Sequence, residues 1–121
     1  MELAIPYHLE LAGGAVATEY LPVYRKMTLK QVRLVANVTF AANGSDYITL
    51  SIKKGSDTLA SRATNSDALT AGASEALTLS GGEALDFDDL DEVSIDLAKT
   101  GTPSTATDLV ILFVFEPRRD V

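Results

Sequence analysis

The sequence predicts an all-β fold: an antiparallel β-sandwich, jelly-roll-like, of about eight short strands with an extended N-terminal segment. Three observations predict it. Apolar and polar residues alternate with period two along most of the chain, the spacing of strands with one dry and one wet face. The apolar runs are separated by Gly, Asn, Ser and Asp clusters, which supply the backbone conformations of tight turns. No stretch keeps helical spacing for long. The 121 residues are 46% hydrophobic and 22% charged, a globular balance for one domain.

The elements follow in order. LAIPYHLEL alternates Leu3, Ile5, Tyr7, Leu9 and Leu11 against Ala4, Pro6, His8 and Glu10. Pro6 has no amide hydrogen to give a ladder, so this is an edge strand or an extended arm. AVATEYLPVY is β-rich and is broken by Pro22. Residues 1–26 therefore read as an N-terminal arm or as edge strands, and residues 27–121 as the sandwich domain. KQVRLVANVTF places Val32, Leu34, Ala36, Val38 and Phe40 on one face. Gln31, Arg33, Asn37 and Thr39 take the other, with Val35 the exception. Asn43-Gly44 supplies the positive φ of a tight hairpin turn. DYITLSIK then points Ile48, Leu50 and Ile52 inward, KKGSD turns again, and TLASRA returns. Together these predict a meander of about three strands.

SDALTAGASEAL has room for one helical turn, capped by Ser66 or Asp67 and ended by Gly72. EALTLS turns Leu77 and Leu79 inward before Gly81-Gly82, and EVSIDLA gives Val93, Ile95 and Leu97 to the core. LVILFVF, residues 109–115, is apolar at both parities, the pattern of a strand covered on both faces. One cover is the partner sheet; the other is open to a neighbouring subunit. KTGTPSTATD, residues 99–108, reads as an exposed polar tip.

Charge and composition exclude several function classes. A formal charge of −7 disfavours a nucleic-acid backbone as partner. The absence of cysteine excludes disulfides, thiolate metal sites and cysteine nucleophiles, and fits synthesis in a reducing cytosol. MELAIPYHLEL does not read as a signal peptide, having an acid where positive charge belongs. LVILFVF is far short of the roughly 20 residues of a spanning helix, so no membrane partner is expected. His8 is the lone histidine and lies on the polar parity of a proline-bearing segment, a poor place for a catalytic base. It also falls short of a zinc site. AGGAV and SGGEA lack the helix and lysine of a phosphate-binding loop. Tyr7, Tyr20, Tyr24 and Tyr47 have no basic stripe between them, unlike a base-stacking platform.

The acidic stretch EALDFDDLDEVSID, residues 83–96, holds seven carboxylates and no base. Counted from Asp86 it fails the EF-hand pattern, which needs an oxygen ligand at the fifth place and glycine at the sixth. Leu90 and Asp91 stand there. Two readings stay open. One is a solvated loop anchored by Phe87 and Leu90. The other is a calcium site of a different type, built from Asp86, Asp88, Asp89 and Asp91. Glycoside hydrolysis by paired carboxylates would need a sugar cleft, and tryptophan, a frequent sugar-stacking residue, is absent. No catalytic constellation and no cofactor motif is present, so an enzyme is not expected.

The order of parts over residues 28–117 resembles the capsid decoration (cement) proteins of tailed bacteriophages. Carrying the resemblance are the Asn43-Gly44-Ser45 turn leading into KKG, the LTLS strand and the acidic turn before VSIDL. The last apolar strand closes it, ending in Phe115-Glu116-Pro117. Where such proteins often have a glycine-aspartate turn before the penultimate strand, this chain has Leu90-Asp91-Glu92. The resemblance implies a structural virion protein, made in the host cytoplasm, which binds the outside of a phage capsid. As a trimer it would stabilise contacts between major capsid subunits. Residues 1–26 are then the candidate clasp. Leu3, Ile5, Leu9, Leu21 and Val23 would carry apolar contact, and Arg25 and Lys26 would meet capsid acids. The competing expectation is a receptor- or carbohydrate-binding module of a phage fibre or tail.

Overall fold

The computed structural model describes residues 3–11, 17–22, 26–37, 39–88, 91–101 and 107–117. Among these, nine strands form two antiparallel sheets. They are β1 (Leu3–Leu11), β2 (Ala17–Pro22), β3 (Met27–Ala36), β4 (Tyr47–Lys54), β5 (Asp57–Ala63), β6 (Ser74–Leu77), β7 (Asp86–Phe87), β8 (Glu92–Thr100) and β9 (Thr107–Pro117). The first sheet runs β1-β9-β3-β6, with β7 also paired to β3; the second runs β2-β8-β4-β5. The pairings are nested. β4 pairs with β5, β3 with β6 and β7, β2 with β8, and β1 with β9. This is one long ribbon folded over on itself, and the fold-over lays β9 beside β3 and β8 beside β4. The result is a jelly roll, the all-β sandwich that the alternation predicts.

The inner faces build a single core. Val93, Ile95 and Leu97 of β8 and Ile48, Leu50 and Ile52 of β4 are buried from one side. Leu109, Ile111, Phe113 and Phe115 of β9 are buried from the other. Phe87 meets Phe115 edge-on at 5.7 Å, and Phe113 stacks on Phe115 at 6.3 Å. Burying one such ring contributes about 1.5–3 kcal/mol by area. β3 switches parity midway. Met27 and Leu29 face inward, then Val32, Leu34 and Ala36, because a bulge between Leu29 and Gln31 leaves Lys30 unpaired in the register and exposed. A bulge adds one residue to a strand, and so lets both halves keep their apolar side in the core.

Several expectations are corrected. Of the expected three-strand meander, β4 and β5 form a hairpin, while β3 and β4 lie in different sheets. Both β3 and β4 have an apolar inner face, and these faces meet across the core instead of lying side by side. Gly44 is not among the glycines with positive φ. The Asn43 side-chain carbonyl instead accepts the amide hydrogens of Ser45 (2.8 Å) and Asp46 (3.0 Å), closing a turn within the crossing segment. The positive φ belongs to Gly55, at 59°, in the two-residue turn between β4 and β5. No helical turn forms around Leu69. Its amide and carbonyl are both spent on Phe40, at 2.9 and 2.8 Å. A 3₁₀ turn forms instead at Gly82–Leu85. The predicted strand through Phe40 ends at Ala36, and Val38 lies outside the described residues. Within the single chain the inner face of β9 is buried, and Val110, Leu112 and Val114 on its outer face, the side left open to a neighbouring subunit, are half-buried.

One flank of the sandwich is held shut by Arg62 of β5. Its guanidinium donates to both carboxylate oxygens of Glu75 on β6, at 2.8 and 3.2 Å, and to the carbonyls of Ala63, Asp67 and Ala68. The two sheets and the loop between their strands are thereby joined through one side chain. These hydrogen bonds hold the Glu75 carboxyl below its usual range and raise Arg62, against an opposing desolvation of each. Beside it the Ser80 amide donates to the Leu59 carbonyl at 2.8 Å. β1 and β2 are the outer strands of the opposite flank.

Candidate functional site

The second sheet carries a cleft of about 620 Å³ on its outer face. β8 lies at its centre. Inward Val93 and Ile95 force Glu92 and Ser94 to point outward, by the two-residue period of the strand. Across the sheet Ser94 stands opposite Tyr20 on β2 and opposite Lys53 on β4. The hairpin from Lys54 to Asp57 forms one wall, Tyr20 another, and Asp91 and Glu92 the entrance to β8. Tyr20 is 60% exposed, and no other large hydrophobic side chain among the described residues is as open.

The acidic stretch arrives at this cleft, and Lys54 latches it there. The ammonium donates to the Asp86 carbonyl at 2.7 Å, lies 3.5 Å from Asp91 Oδ2, and sits 5.3 Å from the centre of the Phe87 ring. Asp91 also accepts the Asp88 amide hydrogen at 2.9 Å, while the Asp91 amide donates to the Asp88 carbonyl at 3.1 Å. Asp86 Oδ1 accepts the Thr28 hydroxyl at 2.6 Å. The carboxylates of Asp86 and Asp91 thus have protein partners that a bound cation would have to displace. Among the described residues no group of three His, Asp or Glu side chains is arranged to hold a metal ion. Asp89 and the anchor Leu90 lie outside those residues, whereas the other expected anchor, Phe87, is fully buried.

The candidate contact residues of the N-terminal segment are distributed along the outer strands. Leu3 and Leu9 stand on β1 opposite Phe115 and Leu109, with side chains outside the described part. Ile5 and Leu21 pack partly against the core. Lys26 is exposed, and Val23 and Arg25 lie outside the described residues. Pro6 stands opposite Leu112 in an edge strand, where a missing amide hydrogen is tolerated. The polar stretch 99–108 begins in β8 and ends in β9, and 102–106 lies outside the described residues.

Sequence reasoning missed Lys54, Tyr20 and Arg62 as organising residues. The signal for Lys54 was present: a cation directly before a glycine turn, in a chain whose longest acidic run seeks a counter-charge. Tyr20 and Arg62 carried none, because their roles come from strands distant in sequence.

No protein-family model matches the sequence, and no curated protein matches it. Among solved structures, a phage capsid chain shares its fold. A chain of the capsid asymmetric unit of cyanophage Pam1 is similar over 97% of this chain and 82% of its own length, with 14% identity and a TM-score of 0.53. A chain from the infectious bursal disease virus Gx strain is similar over 98% of this chain and 33% of its own, with 12% identity and a TM-score of 0.42. At 14% identity the likeness to the cyanophage chain is one of fold.

Proposed function

We propose that the chain is a non-enzymatic structural protein of a virion, which binds the outside of a phage capsid and braces its major subunits. The observation that carries this reading is the likeness in fold to a chain of the cyanophage Pam1 capsid asymmetric unit, over 97% of this chain and 82% of that one. The feature order shared with decoration proteins supports it from the sequence side. A jelly roll of this kind presents broad faces and edges for protein contact. Val110, Leu112 and Val114 form an apolar stripe along the outer face of the first sheet, beside Val35 of β3.

In this reading the capsid contact includes the flank formed by β1 and β2, where an outer strand can accept one more strand from a neighbour. Leu3 and Leu9 belong to β1, Lys26 is exposed between β2 and β3, and Ile5 and Leu21 give part of their surface to this chain's own core; Val23 and Arg25 would add to the contact. Binding to the assembled shell and not to its separated subunits stabilises the shell by mass action. A trimer multiplies weak contacts.

The test is co-sedimentation with shells assembled from the major capsid protein encoded in the same genome. The expected result is saturable binding of a small closed oligomer and a higher shell disassembly temperature. A monomer that leaves shells unbound and unchanged would refute the proposal.

A further inference from the structure

We infer that the cleft beside Tyr20 is a docking site for a cationic side chain of a partner protein, an arginine above all; this rests on the chain being a protein-binding component. The argument is one of charge and shape. The cleft gathers three carboxylates, Asp57, Asp91 and Glu92, around one cation, Lys54. That cation is already engaged by Asp91 and by the Asp86 carbonyl. Asp57 and Glu92 are exposed and have no ion-pair partner among the described residues. The cleft therefore carries uncompensated negative charge, in a chain whose net charge is −7. Such a surface draws in positive groups and repels anions.

Tyr20 decides which cation. Its ring stands open at the wall of the cleft instead of packing inward. A planar guanidinium stacks on an aromatic face while its edge donates paired hydrogen bonds to carboxylates. A lysine ammonium uses the charge and leaves the planar match unused. A neutral sugar would also stack on Tyr20, yet it would strip water from two carboxylates without neutralising them. Among the described residues no three side chains converge as a metal ion needs. The latch by Lys54 ties Asp91 and the Asp86 carbonyl to the hairpin.

The experiment follows backbone amide shifts of the full-length, isotopically labelled protein at low salt. Three probes are titrated: a blocked Gly-Arg-Gly peptide, the same peptide with citrulline, and a panel of neutral disaccharides. The arginine peptide is expected to shift the amides around Tyr20, Asp57, Glu92 and Ser94. The double variant Asp57→Asn, Glu92→Gln and the variant Tyr20→Ser should each weaken this about tenfold, as loss of charge-assisted or stacking contacts does. Because all three side chains are exposed, unchanged melting curves should confirm that the variants fold.

Citrulline or sugar shifts equal to those of arginine would overturn the inference. So would variants that bind like the parent, or an arginine peptide that leaves the cleft unperturbed. A change in oligomeric state of the double variant alone would instead make a second copy the occupant, and would also overturn it. Shell binding by the parent that survives in the variants would defeat this inference and leave the capsid proposal standing. Arginine binding without shell binding would do the reverse.

Discussion

Gly101 sits just past β8 with φ at 68°, a conformation that side chains with a Cβ rarely adopt. A Cβ there would also run into the Ser45 carbonyl oxygen and the Asp46 carboxylate. Gly101→Ala is therefore expected to cost about 1–3 kcal/mol, read as a lower urea midpoint with an unchanged slope. The Arg62–Glu75 pair gives a pH signature. Its folded-state carboxyl is held below the usual glutamate value of 4.5, so its contribution is complete above that value. It is lost as pH falls through the depressed folded value. Glu75→Gln should lower stability at neutral pH by about 0.5–1 kcal/mol, a modest figure because the carboxylate is 35% exposed and screened by solvent. The gap between parent and variant should narrow as pH drops below 4.5, when urea midpoints are compared across pH. Neither residue stands out in the sequence. Gly101 lies in a polar stretch that reads only as a loop, and Arg62 is one cation among ten.

Among the elements, the acidic turn before β8 and the β1 edge carry the sharpest expectations. Lys54 and Thr28 already satisfy Asp91 and Asp86, so calcium should leave the melting temperature unchanged. A rise on adding calcium, reversed by chelation, would contradict this. Lys54→Met should lower stability by about 1 kcal/mol, by removing the donor to the Asp86 carbonyl and the ion pair with Asp91. Removal of residues 1–11 should uncover the hydrogen-bonding edge of β9 along the whole length of β1. An exposed apolar edge strand pairs with other chains. The truncated protein is therefore expected to aggregate in light scattering, where the parent does not. Strand positions were legible because alternation is local. The β3 bulge was not, since a parity switch at Lys30 looks in sequence like two unrelated runs.

On the scale of the whole molecule, the nested pairing brings Leu3 beside Phe115, almost the full length of the chain apart. Contacts of such long sequence separation slow folding, because loop-closure entropy is spent before they form. Refolding is expected on the millisecond-to-second scale, in a single transition followed by stopped-flow fluorescence of the tyrosines. A microsecond phase carrying the full amplitude would contradict it.

The amino-acid order alone determined that this chain is all-β and which residues face the core in β4 and β8. Each of these follows from a side chain's relation to its near neighbours, where a period of two is visible. Tertiary structure alone decided that β3 and β4 belong to opposite sheets, that Arg62 fastens a flank, and that Tyr20 shares a cleft with Asp57 and Glu92. These depend on which strand lies beside which, a choice set by the packing of apolar faces across the core and not by any local spacing.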